Sequence, residues 1–302
     1  MAKLIIKSKN VIPNEMNGYL KAKSDLVTTK DEELYNFIEK EKSFMILTYG
    51  ETNSGKTYTI RKLMELMMIN NLRFPLWISG VEIYNNEMYT LIPKRQKMVE
   101  TRWMDVYTKD EFKAIYNSIT RQRSKRSTIY NNASSRSHMI IIVKLKNKQY
   151  CFVDLAGNES RVDADSAFIN ISLLCLRQCI LAIQSKNKRV MIPYRRSKLT
   201  YYLKDLLQYP IYCVCTIISS VPLSRNTRLT IDYGISMKGI MVKKENKVVG
   251  IKKYIEHTKK LSKMEEDMLK EYMETEDNKL LILIKELLKN KIEVSTLLLN
   301  TI

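Results

Sequence analysis

Glycine and proline are scarce in this chain, 8 and 6 of 302 residues, which excludes collagen-like repeats and linker-rich architectures. No stretch approaches about 18 consecutive apolar residues, so no membrane-spanning helix is expected. The first ten residues hold too short an apolar core for a secretory signal. Histidine occurs only at His138 and His257, and no Cys-x-x-Cys spacing exists, so a zinc site is not expected. The 5 cysteines cannot all pair. Cys213 and Cys215 alternate on one face of a predicted strand, and Cys175 and Cys179 lie one turn apart on a predicted helix. All five read as buried apolar residues in a reducing compartment. Acidic residues are in deficit, 32 against 51 Lys and Arg, for a net charge of +19. That balance points to an acidic partner surface: nucleic acid, anionic lipid or an acidic protein.

What is present is an ordinary globular interior, 45% hydrophobic residues, enough to exclude wholesale disorder. The charge is not a basic tail on a neutral body. Residues 243–302 carry 13 Lys against 11 acidic residues, a net of +2, and the remaining +17 belongs to residues 1–242. That boundary separates an expected catalytic domain, 1–242, from a neck-like segment and helical tail, 243–302. In the tail, Tyr254, Leu261, Met264, Met268 and Tyr272, then Leu281, Ile284, Leu288 and Ile292, recur at helical spacing. The acidic stretch from Glu271 to Asp277 interrupts the seam, so two short amphipathic helices fit better than a sustained coiled coil. They suit self-association or cargo binding.

Residues 44–60 carry the strongest local pattern. An apolar run, Phe44 to Leu47, predicts a buried strand. Gly50-x4-Gly55-Lys56-Thr57 follows, then an amphipathic helix marked by Ile60, Leu63, Met64, Met67 and Met68. Strand, glycine loop and helix form the context that a phosphate-binding loop requires. The backbone N–H groups of Gly50, Glu51, Thr52, Asn53, Ser54, Gly55, Lys56 and Thr57 are candidates to cradle phosphates at a helix N-terminus. Lys56 can reach the β- and γ-phosphates, and the Thr57 hydroxyl can bind Mg2+.

Two further segments offer γ-phosphate sensors. A strand through Tyr150-Cys151-Phe152 ends at Asp154, whose carboxylate can hold Mg2+ through water, and the Gly157 N–H can approach a γ-phosphate. Upstream, Asn131 to His138 (NNASSRSH) precedes a strand at Met139 to Val143. Its hydroxyls, Ser134 and Ser135, are candidate phosphate and Mg2+ ligands, and Arg136 is a candidate partner for Glu159. His138 is expected to be a structural hydrogen-bonder, and the basic run from Arg121 to Arg126 receives no firm role.

These blocks, in this order, resemble the kinesin motor domain. GETNSGKT resembles the family's phosphate loop, NNASSRSH its first switch and DLAGNE its second. Glu82 to Glu87 resembles the EIYNE strand, Ile169 to Leu173 the start of the relay helix, Pro193 to Thr200 the PYRDSKLT block, and Thr227 to Gly234 the last core helix. The resemblance spans residues 44–234. It implies an α/β P-loop NTPase core, a central, mostly β sheet flanked by helices on both faces, with a C-terminal helical extension. It implies ATP and Mg2+ as ligands and microtubules as the partner, in the cytoplasm on the cytoskeleton or spindle. Lys56, Ser134, Ser135, Arg136, Asp154, Gly157 and Glu159 are then the catalytic set. Thr57, Ser135 and Asp154 hold Mg2+, Arg136 and Glu159 form a gate salt bridge, and Asn170 begins the relay helix. Lys186, Lys188, Arg189, Tyr194, Arg195 and Lys198 form the filament face.

The pattern departs from the family in places. The first strand with its adenine-contacting motif has no clear counterpart; Leu4 to Lys7 reads as a remnant, and Tyr58 is the candidate to stack on the base. The segment from Glu159 to Asn170 is short, and Gln208-Tyr209-Pro210 replaces a glycine pair. The leading expectation is an ATP-hydrolysing microtubule motor. The alternatives are a non-motile microtubule-binding ATPase and a P-loop protein that uses its charge on nucleic acid, which no recognisable nucleic-acid motif supports.

Overall fold

The computed structural model describes residues 2–10, 12, 14–124, 133–157, 164–185, 190–218 and 224–238. All lie within Met1–Val242; the expected neck and helical tail lie outside the described residues. The elements run β1 (Ala2–Ser8), α1 (Asn14–Lys23), β2 (Leu26–Thr28), α2 (Asp31–Phe37), β3 (Phe44–Tyr49), α3 (Lys56–Asn70), β4 (Leu76–Tyr84) and β5 (Glu87–Thr90). There follow β6 (Gln96–Lys97), β7 (Met104–Val106), α4 (Lys109–Ser124), α5 (Ala133–Arg136), β8 (His138–Leu145) and β9 (Lys148–Asp154). The last are α6 (Ala164–Gln184), a 3-10 turn at Tyr194–Arg196, α7 (Lys198–Leu203), β10 (Ile211–Ile217) and α8 (Arg225–Met237).

The strands form one ten-stranded sheet in the order β2-β1-β10-β3-β9-β8-β4-β5-β6, with β7 also on β4. β2, β1, β10, β3 and β9 are mutually parallel, while β8 and β4 pair antiparallel. Parallel strands covered on both faces read as continuous apolar runs, and in β3 and β10 every residue is buried. Period-two alternation divides them between two cores. Phe44, Ile46, Tyr150 and Phe152 face Leu63, Met64, Phe112 and Ile119 from α3 and α4. Met45, Leu47, Cys151 and Val153 face Leu173, Leu176, Leu199 and Ile231 from α6, α7 and α8. Helices therefore cover both faces, the expected arrangement.

Two expectations change. Leu4 to Lys7 is no remnant: β1 is seven residues long and lies inside the sheet, between β2 and β10. The helix expected to begin at Asn170 begins at Ala164. Ala164, Asp165, Ser166 and Ala167 extend the helix backwards into a further turn without an apolar repeat to announce it. Residues 167–184 of that helix are long and apolar enough to cross a membrane by length and composition. Ile169, Leu173, Leu176, Cys179 and Ile180 bury one side of it against the sheet, which accounts for the apolar residues of that side.

All five cysteines are free and buried. Burial pushes the Cys151 thiol up and the Cys179 thiol up to about 11, so they remain protonated, inert apolar groups.

Candidate functional site

The carboxyl ends of β3, β9 and β10 meet at one edge, where open α/β sheets place their ligands. After Tyr49 the chain turns sharply. A Cβ on Gly50 would collide with the Thr216 backbone carbonyl on β10, so only glycine fits that close approach. Asn53 (φ 64°) and Gly55 (φ 103°) adopt left-handed conformations that wrap the loop back onto α3. Buried Ser54 fixes it, its Oγ donating to the Glu51 carbonyl (2.7 Å) and lying 2.7 Å from Thr216 Oγ1. Asn226 of α8 donates to the Glu51 carboxylate at 3.3 Å. The Lys56 ammonium is folded into the loop, donating to the carbonyls of Gly50 (2.9 Å) and Glu51 (2.8 Å).

Thr57 and Asp154 meet directly, the Thr57 hydroxyl donating to Asp154 Oδ2 at 2.6 Å. Thr48, paired in register with Asp154, contributes a longer hydroxyl contact of 3.4 Å to Oδ1. The Asp154 charge is 1% exposed and is matched by the Arg123 guanidinium, Nη1 to Oδ2 at 2.5 Å. Arg123 also donates to Ser137, to Oγ at 3.2 Å and to the carbonyl at 2.7 Å. One buried guanidinium thus ties the end of α4 to the segments that resemble the first and second switches. Its position in the basic run is the residue that sequence reasoning missed. The available signal was amphipathic: Phe112, Tyr116, Ile119 and Arg123 lie on one face of α4, at steps of three and four.

The two switch segments also share a backbone bond, Gly157 N–H to the Ser135 carbonyl at 3.0 Å. His138 joins both to α6. Its Nδ1 accepts from the Ala156 N–H (3.1 Å), leaving the proton on Nε2, which faces Ser172 Oγ at 2.7 Å. The Ser172 hydroxyl in turn donates to the Ile169 carbonyl at 2.7 Å. Burial, with Arg123 nearby, lowers the His138 pKa to about 3, so the ring is neutral and serves as a structural connector.

Lys9, Thr52, Asn53, Gly55, Lys56, Thr57, Tyr58 and Ser135 line a concavity of about 520 Å3 over the loop. Ser135 is buried and Tyr58 is exposed, with the Lys7 ammonium 5.6 Å and the Arg61 guanidinium 5.4 Å from its ring. Lys9 reaches this edge because β1 is an interior strand; the alternation Lys7-Ser8-Lys9 after an apolar run was the legible signal. Among the described residues no group of three or more His, Cys, Asp or Glu could hold a metal. The donors gathered here are instead hydroxyls and one carboxylate, hard oxygens that suit Mg2+. Arg136 is half-buried on α5 beside Ser134, while its expected partner Glu159 lies outside the described residues.

Away from this edge, Tyr194 and Arg195 stand on the 3-10 turn and Lys198 begins α7. Arg195 and Lys198 are exposed and Tyr194 half-buried; Lys186, Lys188 and Arg189 lie outside the described residues. The turn is braced by Arg196 donating to Gln178 of α6 (2.8 Å) and by the Lys198 N–H donating to Asn86 (2.9 Å). Beyond these basic groups the structure adds an apolar stripe unforeseen from sequence: Phe168, Ile171 and Leu174 on α6 are each more than 40% exposed. Their spacing of three, off the buried face, was visible but indistinguishable from surplus core residues.

The sequence profile of the kinesin motor domain matches residues 20–240. Among curated proteins, kinesin-like protein KIN-7B of Arabidopsis thaliana is 30% identical over 270 residues, covering 74% of this chain and 29% of its own length. The chain thus spans under a third of that relative. Among solved structures, the motor domain of Saccharomyces cerevisiae Kar3 aligns with a TM-score of 0.61 at 19% identity, over 79% of this chain and 99% of that one. Drosophila NOD, in complex with divalent manganese and ADP, aligns at 0.58 and 20% identity, over 79% and 97%. NOD has also been docked with bovine tubulin into a map of its nucleotide-free complex with the microtubule. At these identities the structural likenesses establish the fold: this sheet and its helices are those of a kinesin motor core.

Proposed function

The chain belongs to the kinesin motor domain family, and from that membership we propose that it hydrolyses ATP and couples the γ-phosphate to microtubule binding and movement. The observation that carries the reading is the junction of Thr57, Asp154 and Arg123, which brings the phosphate loop and both switch segments to one buried carboxylate. Gly50 to Thr57 cradle the phosphates, and Lys56 leaves its two loop carbonyls for the β- and γ-phosphates. Tyr58 and Lys9 border the base and sugar end. Thr57, Ser135 and, through water, Asp154 would hold Mg2+, which would supply positive charge against the transferring phosphoryl group. Ser134 and Ser135 close over the γ-phosphate, Gly157 senses it through its N–H, and Arg136 with Glu159 positions the attacking water. Losing the γ-phosphate releases Gly157 and Ser135 together, and His138 passes that change to α6 through Ser172.

The output surface is then Tyr194, Arg195 and Lys198, joined to α6 through Arg196 and Gln178, with Lys186, Lys188 and Arg189 added to it from the sequence. Basic groups speed encounter with acidic tubulin and apolar groups add contact area. ATPase rate against microtubule concentration tests the proposal. Thr57→Asn is expected to abolish the stimulated rate, and an unchanged rate would place the site elsewhere. One observation favours a second reading, a microtubule-binding ATPase that does not walk. Only residues 158–163 separate Gly157 from the start of α6, a short connection for converting phosphate release into helix movement. Filament gliding over surface-bound protein separates the two.

A further inference from the structure

The chain has two tryptophans, and both are partly exposed: Trp77 at 38% and Trp103 at 39%. Tryptophan is on average a highly buried residue, so two in one place at the surface call for a physical reason. Trp77 lies on β4 between buried Leu76 and Ile78, which face the α3 and α4 core. Period two turns Trp77 to the other face of the sheet. Directly opposite it in register stands Lys144 of β8. Lys146, at φ 49° in the turn after β8, and Asn147 complete the wall, and Trp103 arrives from the segment before β7. The five side chains enclose a concavity of about 420 Å3. It is at the far end of the sheet from the phosphate loop. The Trp77–Lys144 pair is six register steps from the Ile83–His138 pair, roughly 20 Å.

We infer that this concavity is a docking pocket for a short acidic segment of a partner protein, one carrying an apolar side chain flanked by carboxylates. The two indoles supply rigid, amphipathic walls that bind an apolar group at low cost in side-chain entropy. The two ammonium groups fit carboxylates on either side, and no acidic residue lines the pocket. The positive zone is short. Asp105 stands across from Trp77 in register on β7, just outside the lining, and opposes a long polyanion tracking across the surface. Single-stranded nucleic acid sites instead use extended basic grooves. A second copy of the chain is disfavoured by its own charge of +19.

Because both tryptophans line the pocket, intrinsic tryptophan emission of the full chain reports on it directly. The probe is a tryptophan-free hexapeptide with two leucines between paired aspartates. Titration is expected to give a saturable change in emission. Lys144→Glu and Lys146→Glu should each weaken it roughly tenfold, and an asparagine-for-aspartate peptide should give none. Both lysines are exposed, and melting by circular dichroism verifies that the variants fold. Trp103→Phe, which keeps an aromatic wall, should retain binding with altered amplitude. The proposal fails if emission stays flat, if neither charge reversal raises the half-saturation concentration, or if an oligothymidylate of about 12 nucleotides binds more tightly than the peptide.

Discussion

Arg123 and Asp154 show what a single buried charge does for this site. With 3% and 1% exposure, neither can be left alone. Arg123→Leu strands the carboxylate among hydroxyls, and breaking a buried pair costs about 3–5 kcal/mol. The urea unfolding midpoint should fall accordingly; an unmoved midpoint would mean that the pair does not form. Arg123→Lys should recover only part, since a point charge cannot hold Asp154 and both Ser137 acceptors in one plane. His138 makes a different demand. Its folded pKa of about 3 is below the unfolded value near 6.5, so the unfolded chain binds the proton more readily. Stability from this residue is full above about pH 6.5 and falls by about 1.4 kcal/mol per pH unit as pH drops toward 3. His138→Asn should flatten that part of the stability–pH curve, measured by denaturation from pH 7 to 4. Sequence motifs named Asp154, Lys56 and Thr57 because local order fixes them. Arg123 escaped because a basic run at a helix end reads as solvated, and only the packing of α4 on the sheet, with Ile119 against Gly80 of β4, decides which of its charges goes inward.

At the scale of elements, close approach matters more than charge. α8 lies against β10 and β1 so tightly that a Cβ on Gly234 would come within 2.6 Å of both Cys215 Sγ and Leu4 Cδ1. Gly234→Ala overpacks that seam and is expected to destabilise the fold by about 1–3 kcal/mol. Gly18 in α1 has nothing within 4 Å of its Cβ position, so Gly18→Ala should instead gain up to about 1 kcal/mol from helix propensity. Thermal melting of the two variants should therefore shift in opposite directions; the same sign for both would refute the packing account. Hydrophobic pattern made β3 and β9 legible as continuous apolar runs and α3 as a repeat at three and four, while α8 is read from its resemblance to the family's last core helix. It understated β1 because the seven residues contain only a brief apolar run, and pairing with β10 extends the strand to Ser8. The resemblance at Ile169 to Leu173 places the start of α6 late, and Ala164 to Ala167 carry little hydrophobic signal that would move it.

For the whole molecule, the basic body predicts that grip on an acidic filament weakens with salt. Arg195→Glu with Lys198→Glu should lower microtubule affinity in a sedimentation assay by roughly tenfold and leave basal hydrolysis intact. Equal loss of both would contradict a separate filament face. Net charge gives the sign of the proposed partner, but strand order was beyond reach of any local pattern, since Ala2 pairs with Ile211 and Met45 with the same residue. That arrangement has a consequence for synthesis. β10 is a keystone laid last, between two strands made first. Roughly 160 residues separate the end of β3 from the start of β10, so at ribosomal speed the nascent chain waits about 8–30 s with two parallel edges open. Until Ile217 leaves the exit tunnel the sheet has a gap at its centre, and a chain stopped short of it exposes the apolar edges on which chaperones act and aggregates grow.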